Sequence, residues 1–168
     1  MGGEVRSGCL RLTNHLSSSN ISSTMKIQMF VLCDAAIDNQ GKMSLLGTFD
    51  RIFSKQAPVV HRSCAVATII RFDRIEEGTH TIKCTFCNED GKLVMPALEG
   101  NVTIPFQSGT NTMSHNMILN IQGLKLESYG EYSIDLAVDG RHEASIPLYV
   151  FPLPESSTEQ DQSEPTLD

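Results

Sequence analysis

Apolar and polar residues alternate with a period of two along most of residues 25–150, a pattern typical of half-buried β-strands. The clearest stretch is GEYSIDLAVDGR (130–141), in which the alternation stops at the Asp139-Gly140 pair. Four apolar side chains share one face of it: Tyr132, Ile134, Leu136 and Val138. Glycine tolerates the positive φ of a two-residue turn, so a hairpin is predicted here. The return strand carries Ile146, Leu148 and Val150.

Earlier apolar runs of strand length are separated by turn residues. They predict strands over residues 26–33, 43–53, 64–72, 79–88, 101–106 and 115–124. Gly47 indicates a bulge within its strand, and Pro105 indicates an edge strand. The Asp-Gly pair in residues 89–92 predicts a two-residue hairpin turn into residues 93–95.

The fold class follows from the absence of a helical period. No window repeats apolar residues three and four positions apart over ten or more residues. Short strands without intervening helices predict an all-β, antiparallel β-sandwich, with a closed β-barrel as the alternative. The segment LESYGEYSIDL resembles the penultimate strand of immunoglobulin-like domains, in which Tyr129 or Tyr132 would make a corner hydrogen bond. The chain has no tryptophan, so this likeness is one of broad architecture only.

Composition divides the chain into three parts. Residues 1–24 are rich in Ser, Asn and Gly and lack a strand or helix period. They are predicted to be a flexible arm, or the product of a start codon assigned upstream of the true one, because ordered patterning begins at Met25. Residues 25–153 are predicted to be the β-sandwich domain. Residues 154–168 are predicted to be a disordered acidic tail, because they hold too little apolar area to offset the entropy of ordering.

Charge and hydropathy exclude several classes of function. The net charge is -7, and five acids without any Lys or Arg lie in residues 155–168. No concentrated basic surface is present, so nucleic acid is not an expected partner. No run of about 18 apolar residues occurs, so no membrane segment is expected. An N-terminal secretory pattern is also missing, and we expect a cytoplasmic location.

The whole span from Met25 to about Val150 resembles a known family. The segments that carry the likeness are MKIQMFVLCD, GKMSLLGTFDRIF, RFDRIEEGTH and GEYSIDLAVDGRHEASIPLYV. They are similar to a family of small bacterial all-β proteins known only as a domain of unknown function. The resemblance implies a compact all-β domain that starts near Met25. It implies no activity and no functional residues.

Cysteines and histidines are the first candidates for chemistry. Five cysteines at irregular positions (9, 33, 64, 84 and 87) favour reduced thiols in a reducing compartment. Cys84 and Cys87 lie in one strand at an odd separation, which places Cys84 in the core and Cys87 outward. They are therefore not expected to bind a metal together. The histidines are scattered without the spacing of a chelate: His15, His61, His80, His115 and His142.

The densest cluster of charge is RFDRIEEGTH (71–80). Adjacent acids at Glu76 and Glu77 suggest acid-base chemistry or a calcium loop. Acid-base chemistry needs carboxyls in different environments, and a calcium loop needs denser oxygen ligands. A solvated connection with local ion pairs is the favoured interpretation, with a partner-binding loop as the alternative. No nucleophile elbow or phosphate-binding glycine loop occurs.

The predicted function is a non-catalytic β-sandwich that binds another macromolecule or self-associates. Its binding surface would be a sheet edge or one of the loops at 34–41, 54–62 and 107–114. No catalytic, cofactor-binding or metal-binding residue is predicted. The alternative is an enzyme or small-ligand binder. Its pocket would be built from scattered residues that the fold brings together: His61, His80, Arg71 and Asp50.

Overall fold

The structure, a computed structural model, describes residues 25–154, which form nine β-strands and one turn of 3₁₀ helix at Arg74–Glu76. The strands are β1 (Lys26–Asn39), β2 (Lys42–Thr48), β3 (Arg51–Ser54), β4 (Val59–Asp73), β5 (Gly78–Asn88), β6 (Leu98–Ile104), β7 (Thr112–Leu126), β8 (Gly130–Val138) and β9 (Arg141–Pro152). The predicted arm (1–24) and, except for Pro154, the predicted tail (154–168) lie outside the described residues. None of the described residues form a helix long and apolar enough to cross a bilayer.

Two sheets pack against each other around one main core. The four-stranded sheet has the order β2-β1-β4-β7, and the five-stranded sheet has the order β3-β9-β8-β5-β6. Neighbouring strands are antiparallel, except that β3 runs parallel to β9. The core contains residues from both sheets. The predicted all-β sandwich with broadly immunoglobulin-like architecture is confirmed, with the parallel β3–β9 pair as a departure from the antiparallel pattern.

Alternation along β5 and β8 builds the centre of the core. The four side chains predicted to share a face of β8 are all buried, and so are three on β5: Ile82, Cys84 and Phe86. Burying a side chain of this size stabilises the fold by about 1.5–3 kcal/mol. The short-range pattern was therefore sufficient to predict the centre of the sandwich.

A tyrosine corner fixes the start of β8. The Tyr132 hydroxyl donates to the Ser128 carbonyl at 2.8 Å and accepts from the Ser128 N–H at 3.1 Å. Of the two tyrosines considered from the sequence, Tyr132 makes the corner. The Tyr129 hydroxyl instead donates to the Ser54 carbonyl at 3.2 Å, which ties the end of β3 to this region.

The predicted strand 43–53 is two strands in different sheets. The chain leaves the four-stranded sheet after β2 and joins β9 as β3. Gly47, predicted to mark a bulge, has a φ of 60°, and a Cβ there would overlap the Asp34 carboxylate. The two strands serve different clusters: Met43 and Leu45 of β2 pack on a second apolar cluster outside the main core, whereas Ile52 of β3 lies in the main core.

The predicted turn at 34–41 is wrong, because β1 continues to Asn39. The chain turns at Gln40 and Gly41, which both have positive φ. The end of this hairpin folds against the outer face of its own sheet, where the Asn116 amide donates to Asp38 Oδ2 at 2.8 Å. A second, smaller apolar cluster lies beneath it. Its members include Cys33, Ala36, Met43, Leu45, Ala65 and Ala67.

Three other boundaries differ from the predictions. Residues 93–95 form no strand and make only an isolated bridge between Cys87 and Leu93. The partner of β5 on this side is β6, which is an edge strand as Pro105 indicated. The loops predicted at 54–62 and 107–114 are shorter, because β4 begins at Val59 and β7 at Thr112.

Candidate functional site: an open cleft between two edge strands

The charged segment 71–80 stabilises its own backbone. One carboxylate oxygen of Glu76 accepts the Asp73 N–H and the other accepts the Met25 N–H, both at 2.9 Å. A Glu77 oxygen accepts the Phe106 N–H at 3.3 Å. These acids therefore hold the ends of three strands in place, which is a more specific role than the predicted solvated connection.

His80 is clamped between two hydrogen-bond acceptors. Its Nδ1 lies 2.7 Å from Asp139 Oδ2, and its Nε2 lies 2.7 Å from the Glu76 carbonyl oxygen. A carboxylate and a carbonyl can only accept, so both ring nitrogens donate and the ring is the imidazolium. Phe72 stacks on the ring with 4.9 Å between centroids. No nitrogen remains to act as a base, so His80 is a structural tie.

The pKa values of the pair agree with this geometry. Burial alone would lower the pKa of His80, but its hydrogen bonds to Asp139 and the Glu76 carbonyl and the charges of both acids raise it above the ordinary value. Burial alone would raise the pKa of Asp139, but hydrogen bonds from His80 and the Thr81 N–H lower it. Each group therefore favours the charged form of the other.

The other residues of the alternative, catalytic interpretation have separate neighbours. The His61 ring packs on Phe49 with 5.3 Å between centroids, and Asp50 pairs with Arg51 at 3.4 Å. Arg71 donates to the Thr112 hydroxyl at 3.0 Å. The described part of the chain contains no group of three or more His, Cys, Asp or Glu that could hold a metal ion.

The two cysteines of the predicted strand pair are both buried. Cys84 lies in the core as predicted, and burial, followed by the charge of Asp135, raises its pKa to about 12. Cys87 lies on the face of β5 opposite Cys84, as predicted, but it is covered there, with 1% exposure, and is disulfide-bonded, so the prediction of a reduced thiol is wrong at this position. The free thiols among the described residues are Cys33, Cys64 and Cys84, all buried. None of these three is placed to act as a nucleophile.

An apolar cleft opens on one side of the sandwich, between the edge strands β6 and β7. It has a volume of about 250 Å³. Leu98 and Val102 of β6 form one wall, and Met117 and Leu119 of β7 form the other, with Ile82 of β5 at the base. These five side chains are apolar and form most of the lining, which Glu99, Gly100 and Asn101 of β6 complete, so the cleft suits mainly apolar groups.

Gly100 keeps this cleft open. It lies between Leu98 and Val102 on the inward side of β6 and directly opposite Ile82 on β5. A Cβ built at Gly100 meets no atom within 4 Å. A larger residue at this position would therefore fill the cleft from the β6 side, and a glycine within a strand is typical of a site where another chain or a ligand approaches.

The backbone edge of β7 borders the same cleft. β7 pairs with β4 along its entire length, and no described strand pairs with its other edge. Residues 112–124 contain no proline, Asp, Glu, Lys or Arg. Exposed sheet edges are usually protected from pairing by short length, charge or proline. β7 has none of these over thirteen residues, and its N–H and C=O groups can accept another strand.

The opposite side of the sandwich has a larger cavity, of about 340 Å³, between β1 and β9. Its strand edge is protected. The Tyr149 N–H points away from β8 and donates to the Asp50 carbonyl at 2.8 Å. The nitrogen of Pro147, two residues earlier in β9, points to the same edge of the strand, and proline has no N–H to donate there. The contrast between the two sides identifies the β6–β7 cleft as the candidate site.

The sequence predicted parts of this site separately. Pro105 indicated an edge strand, and residues 101–106 and 115–124 were predicted as two separate strands. Their meeting across two sheets depends on the fold. The signals that could have located the cleft are the glycine within the alternation of β6 and the unusually long uncharged stretch of β7.

A model of a protein family matches residues 28–151 of this chain. The chain belongs to the family of unknown function DUF6941. The expected relation to a domain of unknown function is thus confirmed for about the span expected, whereas a bacterial origin stays a prediction. No curated protein matches this DUF6941 chain.

Three solved structures are similar to the DUF6941 chain at low identity. A β-glucosidase from Listeria innocua in complex with isofagomine has 8% identity and a TM-score of 0.46, over 77% of this chain and 16% of that one. The alkylpurine DNA glycosylase AlkC of Pseudomonas fluorescens has 7% identity and a TM-score of 0.40, over 77% and 31%. An immunoglobulin-like protein from Pseudomonas aeruginosa has 10% identity and a TM-score of 0.30, over 78% and 99%. The chain thus spans less than a third of the first two proteins, and the fold assignment rests on its own sheet topology.

Proposed function

We propose that this DUF6941 chain is a non-catalytic binding module that takes up an extended segment of a partner protein at the β7 edge. The observation that carries the proposal is the unprotected backbone edge of β7 beside an apolar cleft. Strand addition of this kind uses main-chain hydrogen bonds for affinity and pockets for alternate side chains for specificity. Both elements are present on this side of the sandwich.

The geometry defines the chemistry of the partner. A strand added to β7 would lie about 4.8 Å from it, and alternate side chains would point to opposite faces of the sheet. One row would enter the cleft above Ile82, between the walls formed by Leu98 and Met117. The partner segment therefore has apolar residues at every second position and needs no particular charge.

The environments of the reactive residues support a role without catalysis. Both nitrogens of His80 are used in hydrogen bonds, and burial raises the pKa values of Cys64, to about 11, and of Cys84. A general base needs a free nitrogen near neutral pH, and a nucleophilic thiol needs a lowered pKa. The cytoplasmic location stays a prediction.

The test uses a phage-displayed library of short random peptides selected on the full chain. We expect the selected sequences to alternate apolar and polar residues. The variant Gly100→Leu fills the cleft and should weaken binding of these peptides at least about tenfold. Thr103→Leu, which adds the same side chain on the outward face of β6, is the matched control and should leave binding unchanged.

Three results would contradict the proposal. The first is that the selected peptides do not alternate apolar and polar residues. The second is that they bind the Gly100→Leu variant as tightly as they bind the original chain. The third is that the selection yields no binding peptide. Circular dichroism and thermal melting of both variants show whether they are folded, so loss of binding can be separated from loss of structure.

A further inference from the structure

The proposed function leaves the source of the partner strand open, and β7 itself has the required pattern. We infer that the segment that occupies the cleft is β7 of a second copy of this chain, paired antiparallel about a twofold axis. This inference rests on the proposed function, since it uses the same edge and the same cleft. It would join two four-stranded sheets into one continuous sheet.

The inward row of β7 matches the chemistry of the cleft. Met113, Met117 and Leu119 pack against the main core, and His115, which pairs with the buried Ile70, lies between the two methionines in the same row. Both methionines and Leu119 are only partly buried in the single chain. A second β7 laid along the first would bring its own methionines and leucine over the opening above Ile82. Methionine adapts to irregular gaps, which suits an opening of this shape.

The outward row of β7 is polar and uncharged at its exposed positions. The exposed Ser114 already donates to Gln28 Oε1 at 3.0 Å. Asn120 and Gln122 are also exposed, and their amides both donate and accept hydrogen bonds. Such residues can form cross-strand pairs with copies of themselves. Asn116 is already bound to Asp38 and to the Gly41 carbonyl, so it holds the β1–β2 hairpin instead.

The distribution of charge favours a second copy of the chain as the partner at this edge. The chain carries a net charge of -7, so most surfaces of two copies repel each other. Residues 112–124 contain no Asp, Glu, Lys or Arg, so antiparallel pairing of this stretch with itself sets no charges of the same sign opposite each other. An isologous contact needs a surface that is complementary to itself, and an uncharged edge with alternating rows meets that condition.

The test measures self-association of the full chain by sedimentation velocity over a wide range of concentration. We expect a monomer–dimer equilibrium. Asn120→Lys places two lysines near each other in the paired edges and should raise the dimer dissociation constant at least about tenfold. Ser145→Lys makes the same charge change on the exposed edge of β9 and is the matched control, expected to leave the equilibrium unchanged.

Hydrogen exchange identifies the strand involved. The β7 amides should exchange more slowly as the protein concentration rises, while those of β6 and β9 should not change. A monomer at all concentrations, a dimer unaffected by Asn120→Lys, or concentration-dependent protection at another edge would each overturn the inference. Peptide binding that Gly100→Leu abolishes, in a chain that stays monomeric, would retain the proposed function and reject only the second copy as the partner.

Discussion

His80 and Asp139, 59 positions apart in the chain, share a hydrogen bond of 2.7 Å between Nδ1 and Oδ2. Asp139 stands in the β8–β9 turn with a φ of 50°, and His80 stands near the start of β5. The other ring nitrogen reaches the Glu76 carbonyl. One imidazolium therefore ties the 3₁₀ turn to the last hairpin of the five-stranded sheet.

This pair predicts a pH dependence of stability. The folded-state pKa of His80 is above 6.5, so its contribution is complete below that pH and is lost as the pH rises through the folded value. The folded-state pKa of Asp139 is below 3.8, so its contribution is complete above that pH and is lost as the pH falls through the folded value. The pair stabilises most between these limits, by about 1 kcal/mol, because the Asp139 side chain is 51% exposed to solvent.

Urea unfolding at several pH values checks this prediction. His80→Gln should lower the free energy of unfolding most near pH 6 and progressively less as the pH rises through the folded-state pKa of His80, where the histidine of the original chain loses its charge. Asp139→Asn should show the same trend, since asparagine accepts the positive φ of the turn. A difference from the original chain that stays constant with pH in both variants would contradict the imidazolium assignment.

Tyr132→Phe tests the tyrosine corner. The ring is 2% exposed and its hydroxyl makes two hydrogen bonds to the backbone of Ser128. Removing the hydroxyl leaves both backbone groups without this partner, and we expect a loss of about 1–2 kcal/mol in chemical denaturation. Tyr129→Phe is the control, because it removes one longer bond to Ser54 and should cost less. Equal losses of unfolding free energy in the two variants would show that the Tyr132 hydroxyl stabilises the fold no more than the Tyr129 hydroxyl does.

Gly47→Ala tests the crossing between the sheets. The added methyl group would overlap the Asp34 carboxylate, and alanine disfavours a φ of 60°. We expect a loss of about 1–2 kcal/mol in the free energy of unfolding. Gly100→Ala is the control, because it adds the same methyl group where nothing lies within 4 Å and φ is not positive, and we expect it to be neutral or stabilising. A Gly47→Ala variant as stable as Gly100→Ala would contradict this role for Gly47.

Sequence periodicity was most informative where pairing is local. The row on β8 was predicted residue by residue, because the strand is half-buried and its face follows from alternation alone. The Asp139–Gly140 turn was predicted for the same reason, since its positive φ values are a property of two adjacent residues.

Contacts between distant segments were not predictable in this way. The division of 43–53 into β2 and β3 depends on Asp34, which lies beside Gly47 only in the folded chain. The β1–β2 hairpin bends onto its own sheet because Asn116 binds Asp38, 78 positions away. The cleft has the same origin, since Gly100 and Leu119 belong to different sheets. Local patterns indicate strands and their faces, and tertiary pairing determines which edges meet.

His61→Phe tests the buried Nε2 atom of His61, which lies near the crossing of the chain between the sheets. The Nε2 atom of His61 is buried and has no hydrogen-bond partner among the described residues, while the ring packs on Phe49. A buried polar atom without a partner costs about 1–3 kcal/mol, and phenylalanine keeps the ring contact without that atom. We expect the variant to be more stable by about 1 kcal/mol in urea unfolding. His61→Ala, which also removes the ring, is the control and should be less stable than the original chain. A His61→Phe variant that is less stable than the original chain would contradict this prediction, because it would show that Nε2 makes a stabilising hydrogen bond.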